Sequence, residues 1–247
     1  MRTVVVRNVV IGAGTPKICV PIIGTSKDEI LKEVNDLTAL DFDLVEWRVD
    51  FFDQIKNWES VESIVSYLRQ VLGEIPVLFT VRSKAEGGAT DFSEDEYFDL
   101  IQRMVRSQSI DLVDIELFMS ESKVKETVKL ANSHNVKVIM SNHDFDKTPD
   151  KQEMLNRLKK MQDFGADICK IAVMPKSASD VLTLLQVTNE MDNDRPIVTI
   201  SMGTLGMISR ISGELFGSAM TFGASTKSSA PGQIPIKELR NTLTLLK

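Results

Sequence analysis

Gly165-Ala166-Asp167-Ile168-Cys169-Lys170-Ile171-Ala172-Val173 sets a lysine in the middle of an apolar, largely aliphatic run. The run is entered through Gly-Ala-Asp and left through Met174-Pro175, so it reads as a short strand buried on both faces. Alternation puts Ile168, Lys170 and Ala172 on one face and Cys169, Ile171 and Val173 on the other. The ammonium therefore points into the protein. Burying an unpaired charge is costly, and a buried lysine relieves the cost by losing its proton. A neutral amine is a nucleophile. The alternative is a lysine that snorkels to the strand end or balances a buried carboxylate, and the rest of the chain must decide between them.

Working outward, the same pattern recurs. Apolar strand candidates begin near Lys17, Asp43, Pro76, Asp111, Lys137, Asp167, Pro196 and Met220. Amphipathic segments of helical period lie between them, at Lys27–Asp41, Ser60–Leu72, Glu94–Arg106, Ser122–His134, Lys151–Phe164 and Ser177–Met191. Strict alternation of this kind implies parallel strands with right-handed crossovers. The 247 residues match the roughly 250 of a (β/α)8 barrel. No G-x-G-x-x-G follows the first strand to favour an open doubly wound sheet. The expected fold is thus an α/β (β/α)8 TIM barrel with an N-terminal β-hairpin over Thr3 to Ile11, and with no linker in sight, residues 1–247 read as one barrel domain.

Composition narrows the function. Hydrophobic residues at 43% and charged residues at 26% are those of a globular protein with a sizeable core. A net charge of -6 with no basic run gives no footprint for nucleic acid or an anionic membrane surface. No apolar run approaches the ~20 residues that span a bilayer, and the N-terminal residues carry no signal-peptide pattern. Cys19 and Cys169 both sit in apolar strands, as reduced core cysteines do. A cytoplasmic enzyme acting on a small molecule is the expectation.

Barrel enzymes collect their chemistry at the C-terminal ends of the strands, and charged residues gather there. Leu44–Asp50 alternates so that Glu46, Arg48 and Asp50 share a face. Thr80-Val81-Arg82 runs into Lys84-Ala85-Glu86-Gly87-Gly88, Asp114 and Glu116 share a face, and one strand closes on Ser141-Asn142-His143-Asp144. A barrel filled for stability alone prefers Val, Ile and Leu at such positions. His143 falls one strand before Lys170 and titrates near neutrality when unperturbed, which suits a general acid/base. His134, at a helix end, reads as a surface residue. With one such imidazole and no cysteine cluster, His143-Asp144 makes a poor zinc site. Gly203-Thr204-Leu205-Gly206 precedes Arg210, a place where barrels bind phosphate and where an arginine fork equally suits a carboxylate. Ser225–Gln233 reads as a lid carrying Ser229 and Gln233.

Together EWRVD at 46–50, TVRSKAEGG at 80–88, SNHDF at 141–145, GADICKIAV at 165–173, SMGTLGMISR at 201–210 and SAPGQ at 229–233 resemble the type I 3-dehydroquinate dehydratase family, over nearly the whole chain. The resemblance implies that Lys170 forms an imine with the substrate ketone, that His143 is the general acid/base and that Glu86 orients it. It further implies that Glu46, Arg48, Arg82, Arg210, Ser229 and Gln233 bind the hydroxyls and carboxylate of 3-dehydroquinate, between Met202 and Phe222 as apolar walls. It implies no cofactor, no metal and a homodimer. Pro21 stands where some members carry a ligand-contacting serine. A class I aldolase acting on a sugar phosphate is the competing enzyme, and a catalytically silent barrel that binds a metabolite or partner is the non-enzymatic alternative.

Overall fold

The computed structural model describes residues 3–191, 194–225 and 229–246. Two short strands, β1 (Val4–Val6) and β2 (Val9–Ile11), pair antiparallel as the expected hairpin, with Arg7 at φ 51° in its turn. Eight parallel strands follow: β3 (Lys17–Ile22), β4 (Leu44–Arg48), β5 (Val77–Thr80), β6 (Leu112–Glu116), β7 (Lys137–Asp144), β8 (Ile168–Val173), β9 (Ile197–Ser201) and β10 (Met220–Ala224). Each pairs in register with its neighbour, β10 returns to β3, and a parallel bridge between Ile197 and Ser218 links β9 to the β10 side. The two-residue β11 (Ile234–Pro235) lies outside the ring, on β10.

Helices α1 (Lys27–Leu37), α2 (Trp58–Leu72), α3 (Glu94–Ser107), α4 (Glu121–Ser133), α5 (Lys151–Asp163) and α6 (Ala178–Glu190) supply the crossovers. Their starts are written in the sequence. Ser93 with Glu96 and Ser177 with Asp180 form reciprocal capping boxes, and Ser26, Asn57 and Asp150 accept first-turn amides. After β9 the chain makes two four-residue helices, α7 (Ile208–Ile211) and α8 (Gly213–Phe216), instead of one long helix, and α9 (Ile236–Leu245) follows β11. A Cβ at Gly213 would lie 2.7 Å from the Ser218 carbonyl oxygen, so a glycine lets the chain pack there.

Two cores result. Outward strand residues such as Val45, Trp47, Phe79, Cys169 and Ile171 pack against the helices. Inward residues Cys19, Leu44, Leu78, Leu112, Ile139, Ile168, Val198 and Met220 fill the lower barrel, where the hairpin's Val4, Val6, Val9 and Ile11 plug the floor. One device recurs at that floor. Asp43, Asp111 and Asp167 each precede a strand and accept the amide of Ile18, Val77 or Val138, at the start of the previous strand. Each also faces a cation: Arg240, Arg69 and Lys137 respectively.

The sequence reading needs one correction in the strands. Alternation does not carry to Asp50, because β4 ends at Arg48 and Val49–Phe51 turns as a 3-10 helix. Asp50 reaches the Arg48 guanidinium from that turn.

Candidate active site

Above the apolar floor the barrel interior becomes polar. Lys170 lies in β8 beside Ser141 and Val198, 4% exposed, and its face of the strand is the inward one. The Nζ atom sits 4.4 Å from the centre of the Phe222 ring and 3.9 Å from Asp114 Oδ2. It does not snorkel. Asp114 is itself held by the Arg82 guanidinium at 3.0 Å and receives the Ser141 hydroxyl at 2.6 Å. Burial works to raise Asp114, yet Arg82, Lys170 and that hydroxyl hold it below its ordinary value. Arg82 also donates to Glu116 at 2.7 Å, so from just past β5 it binds both buried carboxylates of β6.

His143 stands two residues above Ser141 on β7, its side chain 10% exposed. Its Nδ1 lies 2.9 Å from Glu86 Oε2, and its backbone N–H donates to the same oxygen at 2.9 Å. Glu86 comes from the short 3-10 helix Lys84–Glu86, started by Ser83 and ended at Gly87 with φ 85°. A Cβ at Gly88 would meet the Arg82 carbonyl oxygen at 2.0 Å, so only glycine lets this loop fold back on β5. Burial, and then the charge of Glu116, push the Glu86 carboxyl upward, opposed by Arg82 and the Asn142 amide. Burial, with Arg82, Lys170 and Arg48 nearby, lowers His143 well below 6.5. A neutral imidazole is thus favoured beside Glu86.

At the rim, Arg48 makes a two-pronged pair with Asp50, both contacts 2.8 Å, and Glu46 accepts the Thr80 hydroxyl at 2.9 Å. Arg210, 2% exposed, donates through Nη2 to the Pro231 carbonyl, while its Nε and Nη1 lack a hydrogen-bond partner among the described residues. Burial lowers its guanidinium to about 10. A desolvated cation with two spare donors calls for an anion. Gln233 and Ser229 bond each other, the Gln233 amide donating to Ser229 Oγ and its oxygen accepting the Ser229 N–H, both at 3.0 Å. Of the segment read as a lid, Ser229 and Gln233 line the cleft, and residues 226–228 lie outside the described ones.

Every site residue expected from sequence lines one cleft, from Glu46, Arg48, Arg82 and Glu86 through His143 and Lys170 to Met202, Arg210, Phe222, Ser229 and Gln233. Gly87, Phe145, Ala172, Ile200 and Ala230 line it as well. Sequence reasoning gave the last four of these no role. Ala172 was on the right face by alternation, and Ile200 follows from the register Ala172–Ile200. Pro21, buried beside Glu46, adds no hydroxyl at its strand end. His134 is half-buried, its ring nitrogen 3.0 Å from the Leu130 carbonyl oxygen, and it takes no part in the cleft. Among the described residues no three His, Cys, Asp or Glu side chains are grouped to hold a metal ion. Nor is any described helix long and apolar enough to cross a membrane.

Comparison with known proteins gives a single answer. A family model described as type I 3-dehydroquinase matches residues 18–247. A 3-dehydroquinate dehydratase of Listeria welshimeri is 53% identical over 248 residues, spanning 100% of this chain and 98% of its own. The type I 3-dehydroquinate dehydratase of Clostridium difficile, solved with covalent modified comenic acid, is 51% identical with a TM-score of 0.96, over 99% of this chain and 98% of that one. The 3-dehydroquinate dehydratase of Geobacillus kaustophilus is 43% identical with a TM-score of 0.97, over 99% and 96%. The chain therefore belongs to the type I 3-dehydroquinase family.

Proposed function

We propose that this protein removes water from 3-dehydroquinate to give 3-dehydroshikimate, through an imine on Lys170. The observation that carries the reading is a buried lysine amine facing the same cleft as a Glu86-bound imidazole and a buried, half-satisfied arginine. The Lys170 amine adds to the ketone and water leaves, forming an iminium that acts as an electron sink. A proton on the adjacent carbon then becomes acidic enough for His143 to remove. The enamine expels the β-hydroxyl, which His143 protonates as it departs, and water finally releases the product from Lys170. Glu86 orients His143 by accepting from its ring. Arg210 takes the substrate carboxylate with its spare donors, and Glu46, Arg48, Arg82, Ser229 and Gln233 bind hydroxyls and carboxylate between Met202 and Phe222. No step calls for a metal or a nicotinamide.

Relatives named 3-dehydroquinate dehydratase support the substrate. We extend the same reading to a cytoplasmic protein folded as one domain over 1–247 and paired as a homodimer, which light scattering tests. The chemistry is tested by borohydride reduction in the presence of 3-dehydroquinate, followed by mass spectrometry. A trapped adduct on the peptide carrying Lys170 is expected, and none in Lys170→Met, which should bind substrate and turn none over. Near-normal turnover by that variant would sink the assignment.

A further inference from the structure

The Glu86–His143 pair is held by residues that never reach the cleft. Asn142 is buried on the opposite face of β7 from His143, and its Nδ2 donates to Glu86 Oε1 at 3.0 Å. Its Oδ1 accepts from Arg157 Nη1 at 2.8 Å. Arg157 belongs to α5, on the outside of the barrel, and its side chain is 15% exposed. It is fixed from three other sides: Nε donates to Glu153 at 2.8 Å, Asp144 lies 3.9 Å away, and the guanidinium covers the Phe118 ring at 5.2 Å.

A guanidinium can only donate. The Asn142 amide must therefore turn its oxygen to Arg157 and its NH2 to Glu86. With that donor on Oε1 and the His143 backbone N–H on Oε2, Glu86 is arranged to accept on both oxygens, as a carboxylate does. A carboxylate accepts the imidazole's Nδ1–H, which leaves Nε2 without a proton, the form a base needs. With the amide reversed, two oxygens would face each other unless Glu86 carried a proton. That proton would sit on Oε1, facing Asn142, and leave Glu86 neutral, a weaker acceptor for Nδ1–H at Oε2, so the tautomer with a bare Nε2 would lose its hold.

We propose that Arg157 is a positioning residue of the active site, which sets the His143 tautomer through Asn142 and Glu86. The proposal rests on His143 acting as the base, as read above. Other charges face the relay: Arg82, Lys170 and Arg48 bear on His143, and Glu116, Asp114 and Arg82 on Glu86. Glu153 and Asp144 face Arg157. None of them fixes the direction of the Asn142 amide.

The chain has two histidines, so ring 15N spectra of the full-length protein are simple to assign, with His134→Gln identifying the other ring. Wild type should show a protonated Nδ1 and a bare Nε2 once the pH passes about 8, the value to which burial and Glu116 push the Glu86 carboxyl. In Arg157→Met the pH at which this tautomer takes over should climb by about one unit, since the carboxylate loses a donor. At pH 7 kcat on 3-dehydroquinate should fall about tenfold, part of the 10²- to 10⁴-fold that positioned proton transfer supplies. KM should stay within about twofold, because no substrate contact is removed. Arg157→Lys keeps a donor for Oδ1 and should restore most of both readouts. Asn142→Asp keeps α5 pinned to β7 through an ion pair with Arg157 but has no N–H for Glu86. It should behave like Arg157→Met, whereas a purely structural pin would leave it active, and it carries the test if Arg157→Met does not fold. A wild-type tautomer and kcat in Asn142→Asp or in a folded Arg157→Met would overturn the proposal. Absence of dehydratase activity in the wild type would instead overturn the functional reading, and the 15N spectra would still decide the role of Arg157.

Discussion

Single residues divide the labour in this cleft, and their replacements should fail in different ways. Loss of the imidazole in His143→Ala leaves Lys170 able to bond the ketone while nothing nearby takes the adjacent proton. That variant should accumulate the covalent adduct without borohydride, seen as a mass increase on the intact protein, with turnover down by at least about 10²-fold. Asp114 does different work. It is fully buried and faces both Arg82 and Lys170, so Asp114→Asn removes the carboxylate that two buried basic side chains share. Breaking a buried pair by removing one partner costs about 3–5 kcal/mol, measurable by urea unfolding at pH 7. Its pH dependence has a fixed sign. Because the folded state holds Asp114 below its ordinary value, its contribution is fully present above the unfolded pKa of about 3.9 and is lost as pH falls through the lower folded one. The gap between wild type and Asp114→Asn should therefore narrow in unfolding experiments taken below about pH 4, and a gap that widened there would contradict the assignment.

Elements show what was legible before any coordinates. Strands buried on both sides, separated by capped amphipathic helices, announce a parallel barrel, and the strands begin within a residue of where the sequence placed them. Lys170, His143 and the charged strand ends were legible for the same reason: polar side chains on an inward face have no place in a core packed only for stability. Contacts between distant segments were not legible. Nothing local says that Asp50 leaves its strand to grip Arg48, or that Arg157 on α5 reaches Asn142, fifteen positions back. The floor aspartates belong to the same class. They were visible as strand markers, while their bonds to the preceding strand were not. Asp111 is the most engaged of them, taking the Val77 amide, Arg69 and Arg7. Asp111→Asn keeps the size but weakens the charge-assisted bonds to both arginines, so about 1–3 kcal/mol of stability should be lost, with kcat on 3-dehydroquinate unchanged. Thermal or urea unfolding beside an activity assay checks both halves.

The whole molecule separates holding from reacting along the barrel axis. Below Lys170 lies a closed apolar layer, Leu44, Leu78, Leu112, Ile139, Ile168 and Val198, and beneath it the hairpin plug. Above it lies the polar layer with the cleft. Damage at the bottom must cross a packed layer to reach the chemistry, and the residues around a large-to-small change relax only partially into the space it leaves. Ile11 provides the clearest test. It is fully buried in the plug, paired with Val4 on the neighbouring strand. Ile11→Ala opens a cavity under the floor and should cost about 2–5 kcal/mol, the range for deleting a buried branched side chain. The polar layer is held by its own ion pairs and hydrogen bonds, Arg82 to Asp114 and Glu116 and Glu86 to His143, which the cavity does not touch. At a temperature where the variant is still folded, kcat and KM should therefore match wild type within about twofold, while the unfolding midpoint drops. A fall in kcat that tracks the loss of stability would mean that the floor, and not the strand ends alone, sets the position of Lys170.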